Sequence, residues 1–176
     1  SMRDYFSAYR AMEDAYREGK LKAIGVSNFY PNVLINFCET VEIPPMVNQV
    51  ELHPFFAQEK AVQINKACHV QPEAWAPLGG GRYDAFHNEV LKEIAEKHHK
   101  SIGQVMLRWN IQRGVVVIPK STHIERIKEN IDIFDFTLTE EDMQRITALD
   151  QGYVGTAVKH FDIDFVKMVL DRKIHD

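Results

Sequence analysis

The chain has 176 residues, with 21 Lys and Arg against 25 Asp and Glu and a net charge of -4. That length predicts a single domain, residues 1–176, able to bury roughly 70% of the surface its unfolded form exposes. No basic tail or stripe is present, which argues against a nucleic-acid partner, and no apolar stretch approaches the roughly 20 residues of a membrane span. Cys38 and Cys68 stand in unrelated contexts, so packing roles in a reducing compartment are expected rather than a disulfide or a zinc site. With no signal-peptide core at the N-terminus, the expected location is cytoplasmic.

In chain order, Tyr5, Tyr9, Met12 and Tyr16 recur at helical spacing, and Gly19 stands where a left-handed residue would end the helix. Ala23 to Val26 form an apolar run too short for a helix and closed by polar residues, the pattern of a buried strand. Pro31 opens a helix in "NVLINFCETV", Pro44-Pro45 ends it, and "MVNQVEL" is a second strand stopped by His53-Pro54. "QEKAVQINKAC" is helical, and "VQPEAWAPL" is a strand running into Gly79 to Gly81. "NEVLKEIAEKHH" is helical, Ser101 caps "IGQVMLRWNIQR", Gly114 breaks it, and Val115 to Ile118 give a fourth strand. A helix capped by Thr139, with acidic Glu140, Glu141 and Asp142 in its first turn, and a last amphipathic segment from Phe161 to Leu170 complete the chain. Strands that are continuously apolar and each followed by helix predict an α/β fold with a parallel sheet covered by helices.

The fourth strand leads into Pro119-Lys120-Ser121, and Thr122 and Glu125 then have the spacing of a capping box. A helix starting there offers free backbone N–H groups to an anion. Arg126, Glu129 and Asn130 share one face of it, directly after Lys120 and Ser121. A cation, a hydroxyl, a helix start and a guanidinium in one small volume suit a phosphate ester. An ordinary capped surface helix with solvated Lys and Arg accounts for the same spacing.

"GKLKAIGVSNF", "NQVELHP", "WAPLG", "GQVMLRW" and "VVVIPKSTHIERIKEN" occur in the order seen in the aldo-keto reductases, which the chain resembles from Tyr5 to Phe161. The resemblance implies a parallel (β/α) barrel type of fold, of which this chain would supply about half of a TIM barrel, strands five to eight. It also implies NADPH as cofactor and a small aldehyde or ketone, such as a diketo sugar, as substrate of the complete enzyme. No glycine-rich dinucleotide fingerprint is needed in that family, and "GGGR" at 79–82 lacks its spacing. Position by position, the resemblance implies that Ser27, Asn28 and Gln49 hold the nicotinamide carboxamide and that Trp75 stacks on its ring. Backbone at Ala76 and Leu78 would approach the pyrophosphate. Lys120, Ser121 and Arg126 would hold the ribose 2′-phosphate and Glu129 and Asn130 the adenine side, with Thr122 counted beside them among the cofactor-binding residues. Such residues belong at strand C-termini, where barrels and open parallel sheets place their sites.

The family's chemistry also needs a tyrosine acid, a lysine, an aspartate and a histidine from the first half of the barrel, and none is assigned in this chain. Asp14, Tyr16 and Lys20 superficially resemble that set, but helical spacing puts them on the helix before the first strand, with Tyr16 inward. No histidines pair as metal ligands: His98 and His99 lie on a charged helix and His53 in a turn. Exposed edges on a half-barrel predict self-association, or pairing with a chain that carries the other half. A non-catalytic nucleotide-sensing or interaction module is the alternative function.

Overall fold

The computed structural model describes residues 2–152 together with Asp164, Lys167 and Met168. The short apolar runs become four strands, β1 (Gly25–Ser27), β2 (Val47–Glu51), β3 (Gln71–Trp75) and β4 (Val116–Val117). Each β-to-β connection is helical: α2 (Pro31–Thr40) after β1, α3 (Glu59–Ala67) after β2, and α4 (Glu89–His98) with α5 (Ile102–Gln112) between β3 and β4. Helical crossovers carry the chain back to the same end of the sheet, so neighbouring strands run parallel. The sheet has the order β1-β2-β3-β4, with Ser27 opposite Gln49 and Glu51 opposite Trp75. Glycine is required at the start of β1, because a Cβ on Gly25 would lie 2.6 Å from the Val47 carbonyl oxygen.

Helix α1 (Met2–Arg17) precedes the sheet. Its Tyr9 is buried with Ile24 and Phe37, edge-on to the Phe37 ring at 4.8 Å, and its phenol donates to the Ile43 carbonyl. Gly19 follows in the left-handed conformation at φ +74°, as its place after the helix predicts. The larger core joins α4, α5 and α7 (Glu140–Thr147) through Leu91, Ile94, Met106, Trp109 and Ile146.

Local capping fixes where these helices begin. Asn88 accepts from Leu91 N at the start of α4, and Ser101 with Gln104 forms a complete capping box on α5. Thr139 with Asp142 does the same on α7.

The capping box expected from Thr122 and Glu125 does not form. Helix α6 (Ile124–Ile131) starts one residue later, with His123 at the N-cap and no side-chain cap. The cause is Ser121, whose Oγ accepts from His123 N at 3.1 Å and closes a turn of its own. Glu125 is thereby shifted to the second helical position and accepts from Lys128 at 3.2 Å.

Strand ends also differ by a residue or two from the sequence pattern, β1 running to Ser27 and β4 shortening to two residues. Cys38 and Cys68, expected in unrelated contexts, lie on the neighbouring helix α2 and at the end of α3. Burial, and then the Cys68 thiol, push Cys38 up to about 11. The amphipathic segment expected at 161–170 lies outside the described residues but for three positions. Among the described residues no helix is long and apolar enough to cross a membrane.

Candidate functional site

The phosphate-binding pattern becomes a cavity of about 530 Å³, within the range of small-molecule sites. Lys120 and Ser121 reach it from the end of β4, Arg126, Glu129 and Asn130 from α6, and Leu78 from the turn after β3. Six residues predicted from sequence thus share one space. Thr122 stands beside it but is not among its walls. Among the described residues neither Lys120 nor Arg126 forms an ion pair, so two cations and one carboxylate, Glu129, line the same volume and leave an excess of positive charge. Such a site fits an anion better than a neutral ligand.

The other walls carried no clear sequence signal. Gly80 and Gly81 offer bare backbone on one side, and Gly103 leaves room inside the first turn of α5. Ser101, assigned only a capping role from its position, also lines the space, as does the exposed ring of Phe86. The glycine cluster directly after a strand was the available clue.

A second group of predicted residues meets at the C-terminal ends of β1, β2 and β3. Ser27 Oγ donates to the Gln49 carbonyl at 2.9 Å, and Asn28 N donates to that same oxygen at 2.8 Å. Asn28 takes a left-handed conformation, φ +58°, which turns its side chain across the strand ends so that Oδ1 accepts from Trp75 Nε1 at 2.8 Å. Gln49 is held by a bond from its Nε2 to Glu73 Oε1 at 2.7 Å. Ser27, Asn28, Gln49 and Trp75 are therefore one hydrogen-bonded unit, and the indole is pinned at its polar edge. Ser27 and Asn28 also line a separate cavity of about 480 Å³ with Tyr5 and Phe29. Ala76, at φ +48°, accepts from Gly79 N at 2.9 Å and begins the turn that carries Leu78 to the anion cavity.

Between the two groups lies a charged cluster that no local pattern marks. Glu51, at the end of β2, is 1% exposed; its Oε1 accepts from Arg82 and lies 3.3 Å from His53 Nε2. The His53 ring is fully buried and packs on Tyr83 at 4.7 Å. Burial, and then the Glu51 charge, raise the Tyr83 phenol above its ordinary value. In contrast, Asp14, Tyr16 and Lys20 are not brought together. Asp14 pairs with Arg17, Tyr16 packs toward Ile24 and Phe37, and Lys20 is a surface cation beside Glu18. Among the described residues no group of His, Cys, Asp and Glu could hold a metal ion.

The chain is an α/β protein whose cation-lined cavity and hydrogen-bonded Ser27-Asn28-Gln49-Trp75 cluster lie at strand C-termini, where open parallel sheets place their ligands. The family model for the aldo/keto reductase family matches residues 2–151, and the chain belongs to that family. It is 51% identical over 147 residues to a glyoxal reductase of Bacillus subtilis (strain 168), covering 84% of this chain and 52% of that protein. It is 37% identical over 148 residues to a methylglyoxal reductase of Escherichia coli (strain K12), covering 84% of this chain and 54% of that one. A crystal structure of an aldo-keto reductase from a Medee basin deep-sea metagenome library superposes with a TM-score of 0.88 at 45% identity, covering 93% of this chain and 60% of the other. The chain spans about half the length of the curated relatives it matches.

Proposed function

We propose that this chain is the cofactor-binding portion of a carbonyl reductase that uses NADPH and reduces small aldehydes or ketones, with dicarbonyls such as glyoxal as the favoured class. The observation that carries the reading is the pair of cations Lys120 and Arg126, without an ion-pair partner among the described residues and facing one cavity with Ser121. A ribose 2′-phosphate supplies the dianion those groups lack, and NADH does not carry one. Glu129 and Asn130, further along α6, would receive the adenine. Gly80 and Gly81 would let the backbone approach the pyrophosphate, and Trp75, pinned by Asn28, would meet the nicotinamide that Gln49 and Ser27 orient. The bound cofactor supplies the hydride. The residues described here bind and orient it and keep the indole in place.

The proton donor is proposed to lie outside this chain, since Tyr16 packs against the Ile24 and Phe37 cluster while Asp14 and Lys20 are engaged in surface ion pairs with Arg17 and Glu18. Pairing along β1 and β4, each with one sheet neighbour among the described residues, belongs to the same proposal. Calorimetric titration of the chain with NADPH and NADH tests the reading, with tighter NADPH binding as the expected result. Equal affinity for the two would refute the assignment of the cations. Substrate-dependent NADPH oxidation by this chain alone would refute the placement of the proton donor.

A further inference from the structure

Strands β1 and β2 are parallel neighbours, and each is followed by a helix on the way to the next strand, so α2 and α3 pack side by side and run in the same sense. Their C-terminal ends arrive at the same edge of the fold. Cys38 stands there just before α2 ends at Thr40, and Cys68 is the C-cap of α3. The backbone fixes both positions. Cys68 N donates to the Ile64 carbonyl at 2.9 Å, His69 behind it is left-handed at φ +57°, and Val70 N donates back to the Asn65 carbonyl at 2.8 Å, so the chain reverses directly after the cysteine. On α2, Leu34 and Phe37 are buried, which puts Cys38 at the border of the packed face. The two side chains meet there, and the Cys38 thiol shares a hydrogen bond with Cys68. Both residues are half-buried, within reach of a small solute.

Two sulfurs held in contact by fixed backbones have a high effective concentration for each other. Cys38 is not an activated nucleophile: burial, and then the Cys68 charge, push its thiol up to about 11, and the C-terminal end of α2 disfavours negative charge there. We propose that Cys38 and Cys68 form a modification site, a dithiol that a low-molecular-weight disulfide oxidises to an intramolecular disulfide clasping α2 to α3. The Cys68 sulfur attacks one sulfur of the small disulfide, whose S–S bond breaks and releases one small thiol; the product is a mixed disulfide on Cys68. The Cys38 sulfur then attacks the Cys68 sulfur and releases the second small thiol. Both cysteines are oxidised, the small disulfide is reduced to two thiols, and the two protein thiol protons leave on them. The clasp closes a loop of about 30 residues and ties together the two strand-helix units that carry Ser27, Asn28 and Gln49. It forms whether or not a cofactor is bound.

The test is incubation of the folded chain with excess oxidised glutathione, read by intact mass, peptide mapping and thermal unfolding, on the unaltered chain, C38S and C68S. The unaltered chain should stay monomeric, lose the two thiol hydrogens without retaining glutathione, yield a peptide crosslinked between Cys38 and Cys68, and gain at least about 5 °C in Tm, all reversed by dithiothreitol. C38S should accumulate the mixed disulfide on Cys68, and C68S should react at least about fivefold more slowly. Glutathione retained on both cysteines, a crosslink between chains, or thiols left free while the urea-unfolded chain reacts completely would overturn the clasp. A Tm gain of the same size in C38S would also overturn it. C68S reacting as fast as C38S would refute attack from Cys68. The unaltered chain alone decides whether the bond forms, so the proposal stays falsifiable where a variant fails to fold.

Discussion

Asp142 joins the last described helix to the core, and its removal should be measurable both in stability and in pH dependence. The side chain is 1% exposed, at the third position of α7. Its Oδ2 accepts from Thr139 N at 3.0 Å and pairs with His98 Nε2 at 2.8 Å, while Oδ1 accepts from Lys97 Nζ at 2.8 Å. Asp142→Ala removes half of a capping box, about 1 kcal/mol, and charge-assisted bonds of about 1.5 to 3 kcal/mol. The Lys97 contribution is discounted because that side chain is 46% exposed and returns to water. The expected loss is about 2 to 4 kcal/mol, a fall in Tm of roughly 5 to 15 °C for a domain of this size. Burial pushes the carboxyl upward, but Lys97, His98 and Thr139 reverse this and hold it well below the usual carboxylate range. A depressed folded pKa contributes stability that is fully present above the unfolded value of about 4 and is lost as pH falls through the folded value. Thermal unfolding by circular dichroism, at about pH 7 and stepwise to about pH 3, should therefore show the gap between parent and variant narrowing on acidification. A Tm difference below about 2 °C at neutral pH, or a gap that stays constant down to about pH 3, would refute the reasoning.

Arg126→Ala should weaken NADPH by about 1.5 to 3 kcal/mol, roughly 10- to 150-fold, with NADH affinity unchanged; equal losses for both in calorimetry would contradict the 2′-phosphate assignment. Gly25→Ala places a Cβ 2.6 Å from the Val47 carbonyl and must push β1 from β2. A loss of about 1 to 3 kcal/mol in urea unfolding is expected, and no change would mean the strands separate freely. Trp75→Phe removes the bond to Asn28. NADPH should then no longer quench the emission, since the remaining Trp109 is fully buried in the α4–α5–α7 core. Persistent quenching in this variant would place the nicotinamide elsewhere.

What the sequence disclosed is what short-range physics controls. Ser101 with Gln104 and Thr139 with Asp142 form their capping boxes as spaced, because each closes within one helical turn. Thr122 with Glu125 has similar spacing and fails, because Ser121 one residue earlier captures His123 N first. The strand-helix alternation and the convergence of Lys120, Ser121 and Arg126 were legible for the same local reason. The Glu51–Arg82 pair was not: its partners are 31 positions apart and meet only because β2 and β3 end side by side. The approach of Cys38 and Cys68 follows from the packing of α2 on α3, which no spacing in the chain announces.

The most direct test of the cofactor site is a crystal structure of the chain with NADPH bound. The account predicts the ribose 2′-phosphate between Lys120 and Arg126, the pyrophosphate under Gly80 and Gly81, and the nicotinamide on the Trp75 indole within reach of Gln49. Dinucleotide seated elsewhere, or lying in the cavity with its 2′-phosphate away from both cations, would contradict it.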